Sequence, residues 1–524
     1  MPVPQTLHTP DEAARWLRQR VTGELTTDSR KVRAGDGFIA WPGAATDGRR
    51  FVNSAIEQGA SACLVAAEGV DEYAFESEAV AYYANLKAAT GPIASAYFKH
   101  PSQVLDVIAV TGTNGKTSTA WWLAHALSNL PHPHEILCGL VGTLGIAVPQ
   151  KRPGSTQIPG EFSFDVQTNG LTTPDPVHLQ QNLRDFVSLG LRACALEASS
   201  IGIIENRLDA TEIRVAVFTN LTQDHLDYHG TMAAYWQAKK SLFRWVGLQT
   251  AVVNIDDEKG AELAAHLAPG MNGGFPDIWT ISCKFPARLR ATGIRSNSNG
   301  LCFEVVEAGQ SHQVSTRLLG QYNVSNLLGV IGAMRAIGVP LESCVEACAA
   351  LRPVPGRLQC FGETGEPLVV VDYAHTPDAL AKTLELLRPL AQERGGKLWC
   401  VFGCGGGRDA SKRPLMGAIA ARNADCVVVT SDNPREESPQ EIISQIVQGT
   451  AGHNAIEVQA DRALAIANAV WLARSVDVIL VAGKGHEDYQ EVNGQKLPFA
   501  DQSHVELAMQ RRKEGTTGLQ GAAP

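Results

Sequence analysis

The residues best suited to chemistry form one short run, Gly112-Thr113-Asn114-Gly115-Lys116-Thr117-Ser118. A β-branched stretch, Val107-Ile108-Ala109-Val110, enters the turn, and Leu123, Ala126 and Leu127 follow at helical spacing. A glycine-rich turn of this kind presents backbone N–H groups at a helix start, where the helix dipole also favours an anion. Lys116 supplies a point charge for outer phosphates, and Thr117 a hydroxyl for Mg²⁺. The generic phosphate loop carries a glycine five residues before its Gly-Lys pair, a place taken here by Val110, so the loop is the shorter form. A nucleoside triphosphate site is expected.

Acids and imidazoles gather downstream. The apolar run 192–196 ends in Glu197-Ala198-Ser199-Ser200. An acid at the carboxyl end of a parallel strand would lie beside the phosphate loop, where Mg²⁺ needs oxygen ligands; a surface acid is the alternative. A second run, 215–220, leads into Asp224-His225-Leu226-Asp227-Tyr228-His229-Gly230, and the helical pattern from Met232 to Phe243 carries Lys239 and Lys240. His-x₃-His alone would suit zinc, but no thiol or third histidine is close in sequence to complete the set, so a Mg²⁺ and phosphate role is preferred. Thr172-Thr173-Pro174-Asp175 could grip a ligand or cap a helix. Asn323 and Asn326 share a helical face ahead of the apolar helix Leu327 to Ile337, which leaves base recognition and capping equally open.

The elements that must hold these groups divide into three α/β regions, 1–104, 105–352 and 353–524, as the length of 524 residues allows. In the first, polar turns such as Thr27-Asp28-Ser29-Arg30 and Asp47-Gly48-Arg49 lie beside short apolar strands; ligand binding and plain turn chemistry both fit. Segment 146–170, rich in Pro, Gly, Ser and Gln, reads as a long loop or hairpin. The third region shows four strand–turn–helix units. Their strands lead to Asp372-Tyr373-Ala374-His375, Gly403 to Asp409, Asp432-Asn433-Pro434-Arg435 and Gly483-Lys484-Gly485-His486-Glu487. Unbroken apolar strands imply a parallel sheet covered on both faces, and clusters at strand carboxyl ends imply a ligand crevice. Gly403 to Gly407 does not fit a dinucleotide fingerprint, so a redox cofactor is not expected.

Composition excludes several classes. A net charge of -9 argues against nucleic-acid or anionic-membrane surfaces. No apolar run approaches a membrane span, and the N-terminus lacks a signal-peptide core. The 11 cysteines are scattered, and Cys344/Cys348 and Cys400/Cys404 lack zinc-pair spacing, so buried thiols in a reducing cytoplasm are expected. The Gly/Ala-rich end from Gly515 reads as a disordered tail.

Taken together, the runs 111–117, 224–230, 372–377, 432–435 and 483–487 resemble, in their order, the Mur ligase family, the ATP-dependent amide ligases of bacterial peptidoglycan synthesis. The resemblance implies an N-terminal α/β UDP-binding domain, a central P-loop ATPase built on a parallel sheet, and a C-terminal Rossmann-like α/β domain. It implies ATP, Mg²⁺ and carbon dioxide as cofactors. The carbon dioxide would be held as a carbamate on Lys239, within Gln237-Ala238-Lys239. The implied reaction phosphorylates the D-glutamyl carboxylate of UDP-N-acetylmuramoyl-L-alanyl-D-glutamate, and an amino-acid amine then attacks the acyl phosphate. The implied protein is a cytoplasmic monomer serving small molecules.

By the same resemblance, Gly112 to Ser118, Asn323, Arg357 and Asp372 would hold ATP, with Thr117, Glu197, His225 and the Lys239 carbamate as metal ligands. Lys116, Lys239, His225 and Glu197 would form the catalytic set. The nucleotide sugar and its peptide would meet Thr27, Ser29, Ala44, Ala45, Thr46, Thr172, Thr173, Ser199 and Arg207. Arg408, Asp432, Asn433, Pro434, Arg435, Gly483 and Glu487 would select the incoming amino acid. Meso-2,6-diaminopimelate differs from lysine by a second zwitterionic centre. An arginine fork can take its carboxylate and Glu487 its ammonium, so Arg435 favours diaminopimelate over L-lysine. The sequence departs from its relatives at Ile201, where His is common, and at Glu205, where Gln is common. The competing readings are ligation of L-lysine, a folylpolyglutamate synthase-like ligase, and an ATP-dependent binding module that performs no ligation.

Overall fold

Apolar runs broken by glycine-rich turns become parallel sheets in the computed structural model. It describes residues 4–43, 46–73, 75–131, 134–151, 162–167, 170–268, 276–297, 300–363, 365–452 and 455–515. The chain forms two compact units. One comprises Met1–Gly293, Phe303–Val314 and Tyr322–Leu351; the other comprises Ile294–Cys302, Ser315–Gln321 and Arg352–Pro524. Among the described residues, no helix is long and apolar enough to cross a membrane.

The first unit holds two sheets. Strands β1 (Gln5–Leu7), β2 (Leu25–Thr26), β3 (Gly37–Ala40), β4 (Ala62–Ala66) and β5 (Val80–Tyr83) pair in parallel, in the order β1-β5-β4-β3-β2. Successive side chains point to opposite faces: Ile39 and Leu64 pack with Leu17 and Ile93, while Phe38, Cys63 and Val65 pack with Val52. Both faces are therefore covered, as a parallel sheet requires.

The second sheet is built on β6 (Asp106–Thr111), β7 (Cys138–Gly142), β8 (Gly145–Lys151), β9 (Phe162–Gln167), β10 (Ala193–Glu197), β11 (Val215–Phe218), β12 (Thr250–Asn254) and β13 (Asp277–Ser282). Among these eight strands the order runs β13-β12-β11-β6-β10-β7-β8-β9. From β13 to β7 every pairing is parallel, and β8 and β9 then add antiparallel strands. The stretch 146–170 thus supplies hairpin strands, with 152–161 and 168–169 outside the described residues. β6 lies between β10 and β11, so the turns after all three strands leave the same edge. Asp175 caps the helix Pro176–Ser188, accepting from the Val177 and His178 N–H groups, which frees Thr172 and Thr173 from that duty. Asn323 and Asn326 lie inside the helix Tyr322–Ala336, not ahead of it.

The second unit carries β14 (Gln359–Phe361), β15 (Leu368–Asp372), β16 (Leu398–Phe402), β17 (Cys426–Val429), β18 (Ile456–Val458) and β19 (Val478–Ala482), in the order β14-β15-β19-β16-β17-β18. All pairings are parallel except that of β14. The fourth expected unit differs from a strand–turn–helix. After Gly483 to Glu487 comes a hairpin, β20 (Tyr489–Val492) with β21 (Gln495–Pro498), before the helix Asp501–Lys513. Asn493 and Gly494, at φ 49° and 73°, make the tight turn that Asn-Gly favours, and that local chemistry overrides the strand-then-helix pattern. All 11 cysteines are free thiols, and Cys344, Cys348, Cys400 and Cys404 are buried.

His125 is packed in the helix Lys116–Ser128, its ring 4.7 Å from Trp121 and 4.1 Å from Phe164. Its Nε2 is buried without a hydrogen-bond partner among the described residues, and burial pushes the imidazole down from 6.5 to about 4. The unfolded chain takes up this proton near neutrality and the folded one does not, so stability falls as pH drops from 6.5 towards 4. At pH 5 the loss is about 1–2 kcal/mol. His125→Phe is expected to remove it, narrowing the Tm difference between pH 7.5 and pH 5 by roughly 2–4 °C. An unchanged difference in thermal scans would refute this account.

Candidate active site

The phosphate loop takes its shape from close approach. Gly112 has φ 152° and Gly115 φ 85°. A Cβ at Gly112 would lie 1.9 Å from Thr219 Oγ1, and one at Gly115 would lie 2.4 Å from Asn326 Oδ1, so only glycine fits at either place. The end of β11 staples the loop from outside. Asn220 accepts the Thr113 N–H on its carbonyl and the Asn114 N–H on its side chain, at 2.8 and 2.9 Å. Thr219 Oγ1 donates to the Asn114 carbonyl at 2.6 Å. Thr113 Oγ1 donates to the Thr222 carbonyl at 3.0 Å and accepts the Thr222 N–H at 2.9 Å.

Two lysines converge on this loop. Lys116 Nζ donates to the carbonyls of Gly112 and Thr113 at 2.9 and 2.8 Å. Lys239 Nζ donates to the same Gly112 carbonyl at 2.7 Å and stands 4.4 Å over the Tyr235 ring. Lys239 is 1% exposed. Burial above all, then the Lys116 charge, holds its amine well below the ordinary lysine value. The Tyr235 hydroxyl lies 3.2 Å from Thr113 Oγ1, so the ring that supports Lys239 is itself tied to the loop.

Glu197 ends β10 next to the loop. It is buried, and its carboxylate accepts from Thr117 Oγ1 at 2.9 Å, the Thr143 N–H at 2.8 Å and Thr143 Oγ1 at 3.1 Å. These donors are all neutral. His225 has φ 52° at the start of the short helix Leu226–His229. Burial lowers its pKa, the Lys116 and Lys239 charges lower it further, and Asp224, 3.5 Å away, opposes them. No group of three or more carboxylates, imidazoles or thiols poised for a metal ion occurs among the described residues. The donors that fit a hard divalent cation are the Glu197 carboxylate and the Thr117 hydroxyl, with His225 near the two lysines.

The residues assigned to the peptide gather around Glu197. Thr172 Oγ1 is 3.0 Å from Thr143 Oγ1, and Thr173 Oγ1 donates to the Glu197 carbonyl at 2.8 Å and lies 2.9 Å from Ser199 Oγ. Arg207 donates to the Thr173 carbonyl at 2.9 Å. Asn323 accepts from Asn326 Nδ2 at 2.8 Å, so this asparagine pair reaches the loop through Asn326. Thr27 and Ser29 follow β2, and Thr46 lies in the turn after β3, at the same edge of the first sheet. Ala44 and Ala45 lie outside the described residues. At the departure sites, Glu205 pairs with Lys87 at 2.6 Å and accepts from the Tyr228 hydroxyl, and Ile201 sits half-buried in the helix Ser200–Ile204.

In the second unit the turns after β15, β19, β16 and β17 emerge side by side. Asp372 is buried and accepts the Leu358 and Ala374 N–H groups at 2.8 and 2.9 Å; burial pushes its carboxyl up, against the pull of Arg357. The Arg357 guanidinium stands 4.4 Å over the Tyr373 ring. Arg435, at φ 53°, donates from Nε to Glu491 Oε2 at 3.1 Å and from its NH1 nitrogen to the Gly406 carbonyl at 2.6 Å. The Asn433 carboxamide accepts the Glu491 N–H at 3.0 Å and donates to Glu487 Oε2 at 2.8 Å. Buried Lys484 donates to Glu487 Oε2 at 2.9 Å and to Asn433 Oδ1 at 3.1 Å. Asp432 lies against Gly483, where a Cβ would come within 2.5 Å of Asp432 Oδ2, and Pro434 closes on Gly406 in the same way. Arg408 is exposed on the glycine turn after β16.

Thr143, Asn220, Tyr235, Lys484 and Glu491 complete these arrangements beyond the residues that the sequence marks as site candidates. Tyr235 is within reach of helical spacing, since Tyr235–Lys239 is an i,i+4 pair, as Asn323–Asn326 is an i,i+3 pair. No local pattern marks Thr143 or Glu491.

Models of the Mur ligase family catalytic domain, the Mur ligase middle domain and the Mur ligase glutamate ligase domain match residues 23–98, 110–334 and 356–485. The chain is 57% identical to the UDP-N-acetylmuramoyl-L-alanyl-D-glutamate--2,6-diaminopimelate ligase of Acidovorax sp. (strain JS42), over 97% of this chain and 98% of that one. It is 49% identical to the enzyme of the same name from Janthinobacterium sp. (strain Marseille), over 95% and 96%. A solved structure of a UDP-N-acetylmuramoyl-L-alanyl-D-glutamate--2,6-diaminopimelate ligase superposes with a TM-score of 0.62 at 34% identity, covering 94% of this chain and 95% of that one.

Proposed function

This chain belongs to the Mur ligase family, and from that premise we propose that it joins meso-2,6-diaminopimelate to UDP-N-acetylmuramoyl-L-alanyl-D-glutamate at the expense of ATP. The observation that carries the nucleotide half is the convergence of Lys116 and Lys239 on the Gly112 carbonyl of a glycine turn. The Lys116 ammonium and a helix start concentrate positive potential where a polyphosphate would sit, while Lys239 brings a buried, readily deprotonated amine to the same turn.

The turn N–H groups and Lys116 hold the outer phosphates, and Asn323 with Asn326 supports the turn from behind. Thr172, Thr173, Ser199 and Arg207 hold the peptide so that its glutamyl carboxylate meets the terminal phosphate. Thr27, Ser29 and the turn 44–46 take the nucleotide sugar, while Arg357 and Asp372 serve ATP. Positioning and charge neutralisation dominate phosphoryl transfer of this kind. Glu197, Thr117, His225 and a carbamate on Lys239 would hold Mg²⁺, which neutralises phosphate charge. The buried Glu197 carboxylate, which accepts from the neutral donors Thr117 Oγ1, Thr143 N–H and Thr143 Oγ1 among the described residues, is the feature that fits a cation there. A carboxylate oxygen takes the terminal phosphoryl group as its bond to the β-phosphate breaks and ADP leaves; the amine of the amino acid then attacks the acyl phosphate, a C–N bond forms, the C–O bond to phosphate breaks, and phosphate and the amine's proton leave.

Arg408, Asp432, Asn433, Arg435, Gly483 and Glu487 select the acceptor, with the Arg435 fork taking the distal carboxylate and Glu487 the distal ammonium. Division into domains 1–104, 105–352 and 353–524 gives each substrate its own module. The same reading makes the protein a cytoplasmic monomer, in keeping with its free thiols.

Phosphate release with ATP and the nucleotide-sugar dipeptide, with and without meso-diaminopimelate, tests the proposal. The expected result is release that depends on this acceptor, with L-lysine a poor substitute. Release independent of any acceptor would mean a binding module instead, and equal use of lysine would remove the selectivity claim.

A further inference from the structure

Behind the amino-acid turns lies an ion pair that the ligase reading does not use. Arg462, at the start of the helix Arg462–Leu472, and Asp501, at the start of the helix Asp501–Lys513, have side chains with no solvent exposure. They meet as a fork on a carboxylate, Nε to Oδ1 and the NH2 nitrogen to Oδ2, both at 2.7 Å. Two of the three remaining N–H donors of Arg462 go to backbone carbonyls. Its NH1 nitrogen donates to Ser431 at 3.1 Å and its NH2 nitrogen to Ala482 at 3.0 Å.

These carbonyls belong to the residues immediately before Asp432 and Gly483, where the two turns carrying Asp432, Asn433, Arg435 and Glu487 begin. The pair therefore bridges the carboxyl ends of β17 and β19, which are not neighbours: β16 lies between them. A Cβ at Gly483 would lie 3.9 Å from the Arg462 Nη2 and 2.5 Å from Asp432 Oδ2, so the guanidinium and the Asp432 carboxylate flank the start of the Gly483 turn together. Burying such a pair gives little net stability compared with apolar residues of similar size. Geometry at the site is a better reason for its presence.

We propose that Arg462, locked by Asp501, is a positioning residue for amino-acid recognition, setting the spacing between the Asp432–Arg435 turn and the Gly483–Glu487 turn. This rests on the ligase reading above and deepens its acceptor site. Arginine suits the task because its planar fork serves the carboxylate and two carbonyls at once, whereas a lysine amine has one centre for all three.

Two variants test it: Arg462→Lys, which keeps the charge but cannot span both carbonyls, and Arg462→Met with Asp501→Leu, which removes both charges and keeps the volume. Each is checked for folding by circular dichroism and assayed by acceptor-dependent phosphate release. The expected result in both is a rise of about tenfold in KM for meso-diaminopimelate, with KM for ATP and for the nucleotide-sugar dipeptide within about twofold of wild type. If the double variant does not fold, Arg462→Lys decides alone. Folded variants with an unchanged KM for the amino acid, whatever their Tm, would overturn the positioning role. A wild-type protein that releases phosphate without regard to any amino acid would instead overturn the ligase reading, and this inference with it.

Discussion

Lys239→Ala is expected to lower turnover by about 10³-fold, the scale set by removing a preorganised charged group from a reacting phosphoryl centre. The effect follows from burial. Lys239 is 1% exposed, its amine touches the Gly112 carbonyl at 2.7 Å, and it stands over the Tyr235 ring. Desolvation, reinforced by Lys116, favours the unprotonated amine, the form that adds to carbon dioxide. The nitrogen lone pair forms an N–C bond, a proton leaves, and the product carries a carboxylate-like group beside the phosphate loop. Alanine leaves a hole of roughly the missing chain, so formate or acetate at high concentration should restore part of the activity. Lys239→Arg fills the hole with a permanent cation and should be inactive without rescue. Steady-state phosphate release on the three proteins checks this. Near-wild-type turnover by Lys239→Ala would end the carbamate proposal.

Arg435→Ala is expected to cost about 10²-fold in kcat/KM for meso-diaminopimelate, equivalent to about 3 kcal/mol for a charge-assisted fork, and to leave the slow use of L-lysine nearly unchanged. Glu491 on Nε and the Gly406 carbonyl on the NH1 nitrogen hold the guanidinium in place, and its backbone is fixed at φ 53° by the hairpin, through the Arg435 N–H on the Glu491 carbonyl. The side chain is thus oriented before any ligand arrives, which is why its loss falls on the acceptor and not on ATP. Arg435→Lys should recover little, because one amine cannot match two carboxylate oxygens. Competition between the two amino acids in one reaction gives the ratio directly. A parallel fall for both would mean that Arg435 supports the turn without reading the carboxylate.

Much of this was legible in the residues. The glycine turn, its lysine and threonine, the acid ending the 192–197 run, and the four polar clusters behind apolar strands are short-range signals, because a strand, its turn and the next helix are consecutive in the chain. Helical spacing would have reached Tyr235 from Lys239 as well. The hairpin Tyr489–Pro498 departs from the expected strand–turn–helix repeat because the local turn chemistry of Asn493-Gly494 outweighs that repeat.

The sequence by itself determined which groups are available and where along each strand they stand: the phosphate turn, the acid-bearing strand ends, the Asp432–Arg435 run, and burial on both sheet faces. These depend on residue type and on spacings of two to four, which local geometry enforces. Only the tertiary structure decided which of them meet. Thr143 reaches Glu197 across 54 positions, Lys239 reaches Gly112 across 127, Glu491 reaches Arg435 across 56, and Arg462 joins Asp501 across 39. Such contacts are set by the order of strands within a sheet, and that order is a property of the packed whole, which no window of the chain contains.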